Sequence, residues 1–206
     1  FLWEGVEAYY RLIHEAKQLG LLVIGDAKRG DIGSTSEAYA SAHLSELEFH
    51  DLGDVAAPDA LTINPFLGMD AIDPFLQVCR DEGKGVFVLV RTSNPGSKDL
   101  QDVKTEKGET FSEHLAGLLQ PIASSKQLLG DKGYSNLGAV VGATQTHTMQ
   151  SLRAKLPNSV FLLPGYGTQG ATAEMTRAAF DDKGHGAIVS ASRSVLYPKR
   201  NAGETW

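Results

Sequence analysis

The sequence predicts an α/β fold in which parallel strands alternate with helices. Six short apolar runs recur along the 206 residues, and a helical pattern follows most of them. The runs are nearly continuous rather than alternating, as expected for parallel strands that are buried on both faces. Strand-helix alternation at this spacing is typical of α/β proteins. The six predicted strands are Leu21–Ile24, Ala60–Ile63, Gly85–Val90, Leu137–Val141, Val160–Leu163 and Ala187–Ser190.

Helices are predicted before the first strand and after most of the others. Apolar residues recur at helical spacing in the leading segment, at Leu2, Val6, Tyr9, Ile13 and Ala16. Five further helical patterns lie near residues 35–49, 69–82, 109–129, 147–155 and 171–181. Ser34 and Glu37 match the S-x-x-E capping box that begins many helices. The longest connection, about residues 94–108, is polar and is predicted to be a loop that could act as a lid.

The positions of the polar motifs distinguish between the two architectures that such alternation allows. An open doubly wound sheet favours one switch point for a site, whereas a (β/α)8 barrel gathers the carboxyl ends of all its strands. Polar motifs end at least four of the predicted strands, which favours the barrel. Six strands fall short of eight, and a barrel typically needs about 250 residues. We therefore expect residues 1–206 to form a single (β/α) TIM barrel domain, truncated to about six strands and incomplete at both ends.

Composition excludes several classes of function. The net charge of −6 argues against nucleic-acid binding, which needs a basic surface. Apolar runs are too short for a membrane span. The single cysteine, Cys79, cannot form an internal disulfide, and we expect it to be a small buried hydrophobe in a reducing cytoplasm. The six histidines show no H-x-x-x-H pair, so no metal site and no His-based triad are predicted.

An Asp-x-Lys-x-x-Asp motif follows the first predicted strand and comprises Asp26, Lys28 and Asp31. Side chains two positions apart on a strand share a face, so Asp26 and Lys28 are expected side by side, with Asp31 in the next loop. A surface salt-bridge cluster would give the same pattern, although such clusters contribute little to stability. An ammonium between two carboxylates can also repel an anionic substrate group and donate a proton, which favours a catalytic role.

A glycine-rich motif, G-x-G-x-x-G, runs from Gly165 to Gly170 between a predicted strand and a predicted helix. Such a motif can bind a dinucleotide, but no clean βαβ unit with an acidic residue about 20 positions later follows it. The alternative is a phosphate loop after the seventh strand of a barrel, where glycine amides approach an anion. Arg193, at the end of the last predicted strand, is either a solvated charge or a bidentate ligand of the same phosphate.

Two further polar segments end strands. Thr92–Gly96 follows the third predicted strand, and its Pro-Gly pair predicts a turn. Asn64–Phe66 follows the second predicted strand and is expected at the carboxyl edge of the sheet, without an assigned role.

Taken in order, these motifs resemble orotidine 5'-phosphate decarboxylase, in particular its longer bacterial branch. The resemblance implies conversion of orotidine 5'-phosphate to UMP and CO2, in the last step of de novo pyrimidine synthesis, without a cofactor. It implies that Lys28 stabilises the carbanion at C6 and then protonates it, while Asp26 lies against the substrate carboxylate. The substrate-binding residues that it implies are Ser93 at the pyrimidine, Gln169 at both pyrimidine and phosphate, Pro164 at the start of the phosphate loop, and Arg193 at the phosphate.

The resemblance also implies a homodimer with shared active sites. In the family, the second Asp of the first motif enters the site of the neighbouring subunit, together with the Ile and Thr that follow it; here these are Asp31, Ile32 and Thr35. A second catalytic Lys and a ribose-binding Asp of the family would precede Phe1. We therefore expect residues 1–206 to be inactive and poorly stable when made alone.

Two other functions remain open. Related barrels with a similar Asp-x-Lys-x-x-Asp motif are magnesium-dependent decarboxylases or aldolases that act on sugar phosphates. Ser93 and Gln169 argue against them, since the resemblance assigns both to a pyrimidine. The other possibility is a nucleotide-binding barrel that has lost its chemistry because the upstream lysine is missing.

Overall fold

The computed structural model describes residues 2–49, 53–167 and 169–197. Two short strands pair as an antiparallel hairpin, and the other six form one sheet in the order β1-β4-β5-β6-β7-β8. This order follows the chain without reversal, whereas a doubly wound sheet reverses at its switch point. The strands are β1 Ile24–Arg29, β2 Leu47–Phe49, β3 Gly53–Val55, β4 Ala60–Ile63, β5 Gly85–Arg91, β6 Ser135–Val141, β7 Ser159–Leu163 and β8 Ala187–Val189. The predicted α/β class and barrel-type strand order are confirmed.

The helices agree in position with the predicted ones, but several are shorter. Those predicted near 69–82 and 147–155 are confirmed almost to the residue, and the leading helix is also present. Among the described residues, no helix has the length and apolar character needed to cross a membrane. The helices are α1 Trp3–Gln18, α2 Gly33–Leu44, α3 Met69–Glu82, α4 Lys98–Gln101, α5 Phe111–Ala123, α6 Thr146–Lys155, α7 Ala173–Thr176 and α8 Ser192–Leu196, with 3₁₀ turns at Pro95–Ser97 and Arg177–Ala179.

The chain divides into two compact units. The first unit comprises Phe1–Leu89 and Ala123–Gly138, and the second comprises Val90–Ile122 and Ala139–Trp206. In the first unit β4 pairs in parallel with both β1 and β5. All four residues of β4 are buried, which explains why the strand is apolar apart from Thr62. The core of this unit includes Leu61, Ile63, Ile72, Phe75, Leu76, Val86 and Val88.

The second unit has its own apolar core and a parallel pair of strands, β7 and β8. Two buried leucines of α5 and two buried side chains of α6 supply its helical part, and strands β6 and β7 supply the rest. The core side chains are Leu115, Leu119, Val140, Val141, Met149, Leu152, Phe161 and Leu163.

Two predictions about the start of the first βα unit are wrong. β1 begins at Ile24 and extends to Arg29, so the charged motif lies within the strand, while Leu21 and Leu22 are 58% and 87% exposed. The apolar pattern could not reveal which residues β4 would pair with. The capping box at Ser34 and Glu37 is also absent, because the N-cap residue of α2 is Ile32, two residues before Ser34, and its side chain makes no capping hydrogen bond.

A capping box does occur at α5, where the sequence pattern was overlooked. The Thr110 amide donates to Glu113 Oε2 at 2.8 Å, and the Glu113 amide donates to Thr110 Oγ1 at 3.2 Å.

The pairing of β2 with β3 was not predicted, since three-residue strands are too short to show a period. The predicted loop at 94–108 contains a 3₁₀ turn and α4. His50 and Thr168, which belong to the patterns discussed above, lie outside the described residues.

Candidate active site

Asp26 and Lys28 form an ion pair on β1. Lys28 Nζ lies 2.5 Å from Asp26 Oδ1, and the two side chains are about half exposed, at 50% and 64%. A pair this exposed contributes only about 0–1 kcal/mol to stability, because water screens it. The predicted side-by-side arrangement of these two side chains is therefore present, and stability alone does not account for it.

The backbone that carries this pair is irregular. Gly25 pairs with Leu61 and Arg29 with Ile63, so four steps along β1 oppose two steps along β4. Such bulges re-aim side chains and are common next to active sites. Lys28 has a φ of 50°, the only positive φ of a non-glycine residue in the described part of the chain. That conformation costs about 1–3 kcal/mol. The cost exceeds the stabilisation by the ion pair, and such strain is typical of functional sites.

Thr62 on β4 supports the pair, and sequence reasoning missed it. Its buried hydroxyl donates to Asp26 Oδ1 at 3.0 Å and accepts from the Lys28 amide at 2.9 Å. One oxygen thus holds both the carboxylate and the backbone of the strained lysine. The available signal was a single hydroxyl within the otherwise apolar strand Ala60–Ile63.

Thr62→Val should disturb this arrangement without changing the shape of the side chain. We expect a loss of about 1–3 kcal/mol in the free energy of unfolding, because the Lys28 amide loses its acceptor. If Asp26 and Lys28 are catalytic, as the sequence predicts, turnover should fall about tenfold or more, since small misplacements of catalytic groups are costly. Thr62→Ser keeps the hydroxyl and should retain the turnover. Urea unfolding and steady-state kinetics on the full-length protein measure both quantities, and equal turnover of the Val and Ser variants would contradict the prediction.

Asp31, Ile32 and Thr35 lie just beyond β1. Asp31 Oδ1 accepts a hydrogen bond from the Ile32 amide at 2.8 Å, and among the described residues the ion pair of Lys28 is with Asp26 rather than Asp31. Within the described part of one chain, Lys28 thus pairs with a single carboxylate, and Asp31 is bonded to the backbone of its own loop. Ile32 is 57% exposed, and Thr35 is exposed on the first turn of α2.

Ser93 and Gln169 come together in the second unit, at Gly165. A Cβ placed on Gly165 would lie 3.1 Å from Gln169 Oε1 and 3.3 Å from Ser93 Cβ, so a glycine is needed where these two side chains meet. A Cβ on Gly142 would lie 2.8 Å from Ser93 Cα, a backbone atom that cannot move aside. The two side chains that the resemblance assigns to a pyrimidine are thus brought together by close backbone packing.

The loop after β7 is a tight turn rather than the start of a dinucleotide-binding helix. Its three glycines, Gly165, Gly167 and Gly170, all have positive φ, and the Gly167 amide donates to the Ala171 carbonyl at 2.9 Å. The next helix, α7, has four residues, unlike the long helix of a βαβ dinucleotide site. Pro164 begins the loop, and its carbonyl accepts from the Ala143 amide at 2.8 Å.

Arg193, predicted at the end of the last strand, lies on the short helix α8 that follows β8. Its side chain is exposed, and no hydrogen bond or ion pair engages it within the described residues.

Cys79 is buried on α3, and burial raises the pKa of its thiol to about 12. The thiol therefore stays protonated, and the interpretation of Cys79 as a small hydrophobe holds. No group of three or more His, Cys, Asp or Glu side chains is placed to bind a metal in the described ranges.

Comparisons with known proteins agree with the motifs. The family model described as "Orotidine 5'-phosphate decarboxylase / HUMPS family" matches residues 3–205. A relative from Rhodopirellula baltica named orotidine 5'-phosphate decarboxylase is 44% identical over 193 residues, 94% of this chain and 62% of the relative. One of the same name from Deinococcus radiodurans is 45% identical over 184 residues, 89% of this chain and 62% of its own length. The chain thus spans about three fifths of these relatives.

Two solved structures from one organism have the same fold as this chain. The OMP decarboxylase of Leishmania donovani aligns with a TM-score of 0.64 and 34% identity, over 85% of this chain and 60% of that one. The UMP synthase of the same organism aligns with a TM-score of 0.65 and 34% identity, over 84% of this chain and 35% of that one. The family match covers nearly the whole chain, and it confirms the resemblance first drawn from the charged motif on β1 and the loop after β7. The chain therefore belongs to the orotidine 5'-phosphate decarboxylase / HUMPS family.

Proposed function

We propose that this chain carries the catalytic residues of an orotidine 5'-phosphate decarboxylase, which converts orotidine 5'-phosphate to UMP and CO2. The observation that carries the proposal is the Asp26–Lys28 pair on the bulged β1, with Lys28 held at a φ of 50° by the Thr62 hydroxyl. The names of the relatives support the choice of substrate.

The chemistry requires charge rather than a covalent intermediate. The bond between C6 and the carboxylate breaks, CO2 leaves, and the electron pair stays on C6 in the plane of the ring, where it cannot delocalise. An ammonium stabilises this developing charge best where water is excluded. Lys28 supplies the ammonium and then donates its proton to C6, and solvent returns a proton to the amine. Asp26 holds the ammonium at 2.5 Å and faces the departing carboxylate.

Residues of the second unit recognise the rest of the substrate in this proposal. Ser93 and Gln169, which meet at Gly165, read the pyrimidine edge. Pro164 begins the loop that surrounds the phosphate, and Gln169 and Arg193 bind the phosphate itself. The exposed, unengaged guanidinium of Arg193 supports this role, since it is available to a ligand. Phosphate contacts far from C6 can supply binding energy that orients the reacting ring.

The direct test is the production of UMP from orotidine 5'-phosphate by the full-length protein. Loss of the absorbance of the orotate ring and release of CO2 should occur together, and EDTA should not slow them. No UMP, with turnover of a sugar phosphate that depends on magnesium, would replace the proposal with the sugar-phosphate branch that the family description also covers. Tight UMP binding without turnover would indicate a nucleotide-binding protein that has lost the chemistry.

We also propose a single cytoplasmic domain that acts as a homodimer with shared sites. Asp31, Ile32 and Thr35 would enter the site of the partner subunit. Their exposure supports this, since Ile32 presents an apolar side chain to the outside of its own chain at 57% exposure. The lone, buried Cys79 fits a reducing compartment.

Mixing two inactive variants should test the shared sites. Lys28→Ala and Asp31→Ala each remove one group, so a heterodimer would contain one site with both groups intact. We expect the mixture to recover up to about a quarter of the native activity, the statistical share of intact sites when subunits exchange freely. Activity is measured after subunit exchange has been verified by mass spectrometry. An inactive mixture with proven heterodimers would mean that each chain completes its own site.

A further inference from the structure

Arg91, at the end of β5, is a buried arginine that binds the segment following it. Its side chain is 1% exposed. Nη1 donates to the Thr92 carbonyl at 3.1 Å, to Gln101 Oε1 at 3.2 Å and to Ser97 Oγ. Nη2 lies 3.2 Å from Asp102 Oδ1, and that carboxylate is 40% exposed. All of these partners belong to residues 92–102, which we name the strand-5 loop.

The strand-5 loop is closed on itself by these bonds. Gln101 Oε1 also accepts from the Thr92 amide at 2.8 Å, so the end of α4 is bound to the residue that follows β5. Ser112 of α5 adds a second attachment, donating to the Val90 carbonyl at 2.9 Å and to the Gln101 carbonyl at 3.2 Å. The guanidinium thus joins both ends of the loop, and Ser93 lies between them.

Stability is a poor explanation for such a residue. Burying a guanidinium costs several kcal/mol, and a well-packed apolar side chain of similar volume is often as stable or more so. Here the charge faces one half-exposed carboxylate and several neutral oxygens, and its Nε has no hydrogen-bond partner among the described residues. The planar guanidinium instead fixes orientation, because its several donors have a fixed geometry and hold their acceptors in one arrangement.

The packing around Ser93 shows what that arrangement positions. The Gly142 amide donates to the Arg91 carbonyl at 2.6 Å, and the Gly142 α-carbon faces the Ser93 backbone with no room for a side chain. Gly165 limits the Ser93 side chain from another direction. Ser93 can therefore keep its contacts with Gly142 and Gly165 only if the strand-5 loop leaves β5 along one path.

We propose that Arg91 is a positioning residue for pyrimidine recognition: by joining Thr92 to Ser97, Gln101 and Asp102, it sets the place of Ser93 beside Gln169. The proposal rests on the role of Ser93 given under Proposed function. It assigns Arg91 no contact with the substrate, and it predicts a loss that is selective for the base of the ligand.

The test compares two ligands that share a ribose and a phosphate. In the full-length protein, Arg91→Met should weaken the binding of UMP by about ten- to a hundredfold, because a displaced Ser93 would leave a polar group of the base without its hydrogen-bond partner. Ribose 5-phosphate, which lacks the base, should bind within about twofold of native. Gln101→Ala, which removes one acceptor without removing the buried charge, should show the same selectivity to a smaller degree. Both affinities are measured by calorimetry.

Arg153→Met is the matched control. Arg153 also binds carbonyls of the second unit, at Leu156, Ser159, Ala179 and Gly186, and it stacks on Phe161 with 3.6 Å between guanidinium carbon and ring centroid. Its loss should lower stability and leave the preference for UMP over ribose 5-phosphate unchanged. Equal losses for both ligands in Arg91→Met, or native affinity for UMP, would overturn the proposal.

Hydrogen exchange separates this proposal from the proposed function. Amides of residues 92–102 should exchange faster in Arg91→Met than in the unliganded native protein, whatever the ligand is. If native protein binds no UMP while this exchange increases, the proposed function fails and Arg91 remains the residue that holds the loop. If exchange in the strand-5 loop is unchanged, the positioning role of Arg91 is refuted even in an active decarboxylase.

Discussion

Lys28→Ala in the full-length protein is expected to reduce turnover by at least about a thousandfold while the protein stays folded and still binds UMP. The lost ammonium is both the charge that stabilises the carbanion and the proton donor, and each of these effects contributes about a hundredfold or more. Release of UMP from orotidine 5'-phosphate measures the loss, and circular dichroism reports the fold. Lys107→Ala, which removes an exposed lysine of the second unit, is the control and should be fully active. Activity of the Lys28 variant within tenfold of native would refute the assignment.

Lys28→Gly adds a test of stability to the same position. Glycine adopts a φ of 50° without strain, so this variant should be more stable than Lys28→Ala by about 1 kcal/mol. It should be at least as stable as the native protein, because the half-exposed ion pair that it removes contributes little. Urea unfolding of the three proteins measures the order. A glycine variant that is clearly less stable than native would mean that Lys28 stabilises the fold.

Arg193→Ala is expected to weaken UMP binding by about ten- to a hundredfold and to leave uridine binding unchanged. A charge-assisted hydrogen bond contributes about 1.5–3 kcal/mol, and in our proposal its acceptor is the phosphate, which uridine lacks. The exposed side chain has no partner to lose among the described residues, so the fold should be unaffected. Calorimetric titration with both ligands measures the difference.

Arg177→Ala is the matched control for this experiment. Arg177 is another exposed arginine of the second unit, on the 3₁₀ turn after α7, and its removal should change neither affinity. Equal losses of UMP and uridine in Arg193→Ala would show that Arg193 supports the structure and does not bind phosphate.

Much of the architecture could be predicted from local pattern. The run Ala60–Ile63, apolar apart from Thr62, predicted β4 to the residue because every position in that strand is buried. The helix at Met69–Glu82 was predicted equally well, since its apolar face repeats at helical spacing and Gly83, with a φ of 67°, ends it. Boundaries failed where tertiary pairing overrides pattern. β1 starts at Ile24 because that is where β4 begins to pair with it, although Leu21 and Leu22 are as apolar as their neighbours.

The candidate site, like the fold, could be predicted from the sequence only in part. Its residue types could be found in the sequence, because Asp-x-Lys-x-x-Asp after a strand and a glycine-rich loop after another are local patterns. The role of Thr62 could not, because it depends on which strand pairs with β1. The convergence of Ser93 and Gln169 was implied only by the family resemblance, and no local pattern could show that Gly165 is where they meet, since it joins segments far apart in the chain.

From its sequence alone, this protein was determined to be an α/β chain of the orotidine 5'-phosphate decarboxylase family, with Lys28 as its central candidate residue. The fold class rests on composition and periodicity, and the family rests on the resemblance of short motifs; all of these are properties of neighbouring residues. The tertiary structure alone decided that Lys28 is held in a strained bulge, that Asp26 is its ion-pair partner, and that a buried Arg91 binds the loop of Ser93. Each of these depends on atoms that approach only when distant segments pack, and no local pattern specifies such approaches.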